Sequence, residues 1–180
     1  MTDFIPENSP SKKKPIDSVN VLNDTLRNLI GDYMHKLYFY SFEQEDEDRM
    51  KNGLTKRAKE ADRRHQMAHD YSMRDLFLWS ILTNRVDMAK VILSYMKYRI
   101  CPALIATKVL KQYHHRAAHG ELRDGYEQSA KYFEQYAINC LDKCDDCDAS
   151  KACEIVLQRN ELYGYVTCLQ VISMAMILEE

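Results

Sequence analysis

Apolar residues recur at helical spacing over most of the chain. Val19, Leu22, Leu26, Leu29 and Ile30 repeat every three or four positions. Ser18 ahead of them suits a helix cap, and Gly31 behind them suits the left-handed backbone that ends a helix. A second run starts after Tyr71. Ser72 with Asp75 three residues on is a capping-box variant, and Leu76, Phe77, Trp79, Ile81 and Leu82 then predict a buried helix to about Asn84. Past Thr83-Asn84-Arg85, a further helix is predicted through Val86, Met88, Ala89, Val91, Ile92, Tyr95 and Met96. Pro102 fits the first turn of the next, which carries Leu104, Ile105, Thr107, Val109 and Leu110 toward Gly120. Tyr126, Ala130, Phe133, Ala137, Ile138 and Leu141 keep one face apolar along a long helix from near Leu122. Ser150 can cap a short helix through Ile155, Val156 and Leu157, and Gly164 separates it from a last one, Val166 to Leu178.

The polar stretches divide the chain. Residues 1–17 hold three of the four prolines and a lysine triplet, and carry too little apolar surface to fold, so a flexible tail is expected. The acidic run Glu43 to Asp48 is followed by Lys56, Arg57, Lys59, Arg63 and Arg64, with no core-facing stripe. Residues 43–70 therefore read as an exposed charged linker, either a solvated helix held by pairs four apart or a mobile segment. The expected organisation is a tail (1–17), a short helical segment (18–42), the linker (43–70) and a helical-repeat-like domain (71–180). The expected fold is all-α, with antiparallel helix pairs stacked as an α-solenoid-like array of the ankyrin or armadillo kind, although no fixed sequence period appears. Val171, Ile172, Met174, Met176, Ile177 and Leu178 make the last helix apolar beyond what one neighbour would cover, so it reads as a cut edge rather than a cap.

Composition narrows the function classes. A chain of 180 residues can bury one ordinary core, and five glycines are too few to punctuate many short strands. A net charge of −2 gives no global reason to bind nucleic acid or an anionic membrane. The N-terminus has no apolar segment after its lysines and so does not resemble a secretory signal. The best apolar stretch, Tyr165 to Leu178, is too short to cross a bilayer, so the chain alone is not expected to conduct ions.

Candidate chemistry is sparse. Cys140, Cys144, Cys147 and Cys153 are separated by three, two and five residues, and four thiolates could hold zinc if a turn gathered them. Against that, the first two fall on a predicted helix among Asp142, Asp145, Asp146 and Asp148, whose charges disfavour thiolates, and the spacing matches no standard zinc motif. Cys101 and Cys168 read as small packing residues. His115 and His119 share a helix face and could hold a metal, but with His114 they read better as a solvated final turn suited to the helix dipole. The acidic run lacks the glycine and alternation of a calcium loop. No phosphate loop, nucleophile elbow or carboxylate pair is found, so no catalytic residue and no cofactor are assigned. Phe77, Trp79, Leu82, Met88, Ile92 and Leu110 are expected to pack between helices.

The stretch Arg74-Asp75-Leu76-Phe77-Leu78-Trp79-Ser80-Ile81-Leu82-Thr83-Asn84-Arg85 resembles the "RDLLLWAILTNR" pattern of melastatin-type (TRPM) transient receptor potential cation channels. The family's following helices are echoed by Met88-Ala89 and by the run from Ala103 through Lys108 and Leu110 to Lys111. Leu141-Asp142-Lys143-Cys144 resembles its "LDEC", and Glu161 to Gln170, with Gly164, Thr167, Cys168 and Leu169, resembles "ELWG..TCLQLA". The resemblance covers residues 71–172 and, more loosely, Val19 to Gly31. Residues 171–176 depart from the family's alanine-rich continuation. The resemblance implies a helical, cytosolic coupling region whose partners are other channel domains or subunits, at the cytoplasmic face of a membrane. It implies no pore, kinase or nucleotide hydrolase here. An independent helical-repeat binding module that regulates a channel is the alternative, and a cysteine-cluster zinc protein comes third.

Overall fold

The computed structural model describes residues 15–38, 54–118 and 120–176, with the side chains of 18–38, 62–118 and 120–172. The readings placed on residues 1–14, on Glu43 to Asp48, on His119 and on the far end of the last helix lie outside these residues. Among the described residues seven α-helices follow in order: α1 (Pro15–Ile30), α2 (Leu54–Leu82), α3 (Val86–Tyr95), α4 (Ile100–Arg116), α5 (Gly120–Cys147), α6 (Ala149–Leu157) and α7 (Cys168–Met176). A single 3-10 turn, Glu161–Tyr163, precedes α7. The described part is all-α, and its one piece of β pairing is an isolated bridge between Asn160 and Val166.

The largest departure from the sequence pattern is α2. The helix expected to start at Ser72 starts at Leu54, and Ser72 lies inside it with its hydroxyl donating back to the Ala68 carbonyl at 2.9 Å. Residues 62–69 are helical yet exposed. Once Phe77, Leu78 and Ile81 anchor the C-terminal half, each residue added toward the N-terminus gains a hydrogen bond at no further nucleation cost, and Arg, Ala, Gln and Met extend it readily. Gln66 donating to Asp70 at 2.9 Å adds a pair four apart.

Asn84 ends α2 with φ +56. The Arg85 amide reaches the Ser80 carbonyl at 2.7 Å and the Asn84 amide the Ile81 carbonyl at 3.1 Å, the two bonds of a Schellman motif. Asparagine tolerates this backbone, which explains a sharp reversal without glycine. At the α5–α6 junction Asp148, not Ser150, is the cap: its carboxylate accepts from the Lys151 amide at 3.1 Å, so α6 follows α5 almost without a loop. The last helix begins at Cys168 rather than Val166, which is buried and paired with Asn160.

Helix α4 is the hub. From Cys101 to Leu110 every residue but Leu104 is buried, and α1, α2, α5 and α7 all pack on it. Ala103 and Ala106 of α4 and Ala130 and Ala137 of α5 are all buried, and the two helices pack closely enough for the Thr107 hydroxyl to reach the Ala130 carbonyl at 3.5 Å. Phe133 fills the space beside them and meets Phe77 edge-on at 6.2 Å, joining α5 to α2. Ile138, assigned by spacing to the same face, is exposed. Consecutive helices pack as α2/α3, α4/α5, α5/α6 and α6/α7. Among the described residues no helix is long and apolar enough to cross a membrane.

These positions separate on substitution. Phe133→Ala should cost about 3–5 kcal/mol, whereas Ile138→Ala should stay within about 1 kcal/mol, as read from urea unfolding midpoints.

Candidate interaction surface

The "RDLFLW" stretch of α2 turns one face inward and one outward. Inward, Arg74 is only 4% exposed. Its Nε and one terminal nitrogen donate to the same Asp75 oxygen at 2.8 and 2.7 Å, and its other terminal nitrogen donates to the Leu162 carbonyl at 3.0 Å. The rings of Tyr38 and Tyr71 lie 5.1 and 4.9 Å from the guanidinium carbon. Tyr38 closes the circuit by donating to Asp75 at 2.9 Å. One cation thus ties α2 to the segment after α1 and to the turn before α7.

Three further contacts hold the same region. Asn23, buried on α1, accepts from the amides of Leu37 and Tyr38 at 2.9 and 3.1 Å and donates to the Tyr38 carbonyl at 2.9 Å. Gly164 adopts φ +68, and a Cβ there would sit 2.4 Å from the His35 carbonyl oxygen, so only glycine fits. The Gly164 carbonyl in turn accepts from the His35 amide at 3.0 Å. Lys108, also buried, places its ammonium 3.3 Å from the Tyr33 hydroxyl, which itself donates to the Ile30 carbonyl at the end of α1. Burial lowers the Lys108 pKa, partly offset by Asp32. Nothing in the local pattern of apolar residues pointed to Asn23. An asparagine on an amphipathic helix looks like a solvated position until its distant partners are known.

Outward, Leu76 and Trp79, three apart on one face of α2, are each 47% exposed. Met88 is 42% exposed, and Val91 and Tyr95 continue its face of α3 into solvent. Trp79 and Met88 are therefore not the interhelical packing residues that spacing implied. Phe77, Ile92 and Leu110 do pack inside, Leu82 is half-buried, and Ala89 is fully enclosed. Spacing locates an apolar stripe but not its width, and α2 spends its inward face on Arg74, Phe77, Leu78 and Ile81. Arg85 stacks over Trp79 at 5.7 Å. It also lines, with Met88, Leu122 and Tyr126, an open cleft of about 480 Å³ between the α2–α3 turn and the start of α5.

The cysteine cluster is not assembled. Cys140, Cys144 and Cys147 are spread along α5 and Cys153 lies on α6. Among the described residues no three His, Cys, Asp or Glu side chains converge as metal ligands. His114 instead engages the Arg123 carbonyl through Nδ1 at 3.0 Å. Of the other motif residues, Leu141 and Cys144 are half-buried, Thr167 caps α7, Cys168 is buried and Leu169 is exposed.

A profile of the TRPM2-like domain matches residues 5–177, nearly the whole chain. The chain belongs to the TRPM2-like domain family. In human transient receptor potential cation channel subfamily M member 5, 102 residues align at 31% identity, which is 57% of this chain and 9% of that protein. Rat subfamily M member 2 aligns over 98 residues at 28% identity, 54% of this chain and 6% of the relative. The subfamily M member-like 2 of Nematostella vectensis aligns over 100 residues at 26%, 53% of this chain and 6% of the relative. The chain thus matches less than a tenth of each relative's length. Within this TRPM2-like domain, the Arg74–Trp79 stretch combines a structural half, centred on Arg74, with a solvent-facing half, Leu76 and Trp79.

Removing the guanidinium should be costly. Arg74→Ala should destabilise by about 2–4 kcal/mol, a figure reduced because Asp75 keeps some access to water, and Arg74→Lys should recover only part of it since an ammonium lacks the planar fork. Chemical denaturation followed by circular dichroism reads both.

The hydroxyls add a pH dependence. Burial, with the bond to Asp75, pushes Tyr38 from 10.0 to about 12, and burial does the same for Tyr33. A folded-state pKa above the unfolded one favours folding at full strength below the unfolded value, and that contribution is lost as pH rises through the folded value. Unfolding midpoints should therefore fall between pH 10 and about 12, and Tyr38→Phe should flatten that fall.

Proposed function

We propose that this TRPM2-like domain is a non-catalytic coupling and assembly segment on the cytosolic side of a melastatin-type cation channel, working by protein contact. The observation that carries this reading is the outward half of the motif. Leu76 and Trp79 lie in water beside residues that are buried, and α3 adds Met88, Val91 and Tyr95. Adjacent apolar side chains of this size left exposed lose their hydrophobic gain unless a partner covers them. A tryptophan flanked by an arginine is the composition that protein interfaces favour. The occupant of this face is a neighbouring domain or subunit of the channel. The consecutive pairs α2/α3, α4/α5 and α6/α7 are read as layers of a solenoid-like stack that continues into such neighbours. The names of the aligned relatives, members of transient receptor potential cation channel subfamily M, support the setting.

The test is co-purification of the full chain expressed with a full-length melastatin-type channel from the same source, followed by current recording. The chain should be recovered with the channel and alter its current. The double variant Leu76→Glu, Trp79→Glu should cut recovery by about tenfold or more while its circular dichroism stays unchanged. A stable monomer that neither binds nor alters current would refute the role. Unchanged recovery of the double variant would refute this face.

A further inference from the structure

Helix α2 carries a narrow seam along its outer side. His65, His69, Ser72, Leu76, Trp79 and Thr83 are all exposed and follow one another at intervals of four, three, four, three and four residues. That is the repeat of about 3.5 residues by which one helix pairs with one other, narrower than the stripe that faces a globular core. The buried residues Arg74, Phe77, Leu78 and Ile81 occupy the opposite side.

The hydroxyls of the seam are already satisfied. Ser72 donates to the Ala68 carbonyl at 2.9 Å and Thr83 to the Trp79 carbonyl at 2.8 Å. Covering them therefore orphans no donor, and Leu76 and Trp79 between them supply an apolar centre.

Charge is unevenly placed along the same helix. Arg63 and Arg64 are exposed on the part of α2 that extends beyond the core. At the other end, just past Thr83, Asp87 and Glu121 line the cleft beside the α2–α3 turn, and Asp124 is exposed three residues on from Glu121 along α5. Two cations near this rim are engaged: Arg85 stacks over Trp79, and Lys90 bonds Asp87 at 3.1 Å and lies over Tyr132.

A two-fold, antiparallel pairing of α2 uses both features. With the axis between Leu76 and Trp79, each Leu76 meets Trp79 of the second copy, and the small Ser72 and Thr83 meet on either side. At about 1.5 Å per residue, each α2 then carries its Arg63 and Arg64 roughly 12–14 Å past Thr83 of the other, beside that copy's acidic rim. A parallel pairing would lay the two basic segments against each other.

We propose that a second copy of this chain covers the outer side of α2, in an antiparallel dimer centred on Leu76 and Trp79. The contact closes at two copies because both present the same patch. The face is the one assigned above to a channel neighbour, so self-association and channel contact exclude one another, and the dimer is the state of the chain when no channel is present.

Sedimentation equilibrium of the full chain over a concentration series, with dithiothreitol to keep the exposed cysteines reduced, should give a monomer–dimer equilibrium. Leu76→Glu with Trp79→Glu should raise the dissociation constant by about a hundredfold or more, with unchanged circular dichroism. Arg63→Glu with Arg64→Glu should raise it by about tenfold, and adding Glu121→Arg with Asp124→Arg should recover most of that loss, as the antiparallel pairing requires. A monomer at every concentration, assembly beyond two copies, a dimer indifferent to the first variant, or charge variants without effect or without recovery would each overturn the proposal. If the first variant does not fold, the charge variants decide, since all four positions are exposed. A monomeric chain that still co-purifies with a channel refutes this dimer alone, whereas a dimer that neither binds a channel nor alters its current refutes the channel reading alone.

Discussion

A single buried cation organises the contacts between parts of this chain that lie far apart in sequence. Arg74 brings together Tyr38, its neighbour Asp75 and the Leu162 carbonyl, spanning the segment after α1, the middle of α2 and the turn before α7. Taking a guanidinium out of water is expensive unless its donors are matched, and here three donors find oxygens while two aromatic rings cover the flat faces. That need for simultaneous partners is what sets the relative placement of the three segments. An apolar residue at the same position would pack but would not specify which carbonyl it meets.

Around this polar clasp the apolar core does the bulk work of stability. Helix α4 is enclosed on nearly all sides, and small residues on α4 and α5 let two long helices approach. Phe77 and Phe133 bridge the rest. The same arrangement forces other apolar side chains outward. A helix that buries Arg74, Phe77, Leu78 and Ile81 has no inward room left for Leu76 and Trp79. The solvent-facing half of the motif is thus a geometric consequence of the core, and it is the half open to a partner. Tyr163 shows how tightly the junction is packed: it is fully buried and its hydroxyl has no partner among the described residues, a cost that the surrounding contacts outweigh.

Relatives of this family are far longer than the stretch they share with this chain. In this chain the reversal at Asn84, the glycine at 164 and the helix start at Thr167 are three places where backbone geometry is demanding. Turns and caps of this kind admit few residue types, whereas helix surfaces admit many.

How much of this was readable from residues alone varies with the range of the interaction involved. Local, short-range chemistry determined the all-helical class, the breaks at Gly31 and Asn84, Pro102 in a first turn and the inward run of α4, because spacing and turn preferences depend on neighbours within a few positions. Tertiary structure decided the rest. Ser72 looked like a cap, but a packed C-terminal half carries α2 through it back to Leu54. Trp79, Met88 and Ile138 looked internal, but their faces point away from α4. Asn23 and Lys108 acquire their roles only from partners distant in the chain. Periodicity reports which residues share a helix face; which face is covered, and by what, depends on long-range packing that no local pattern contains.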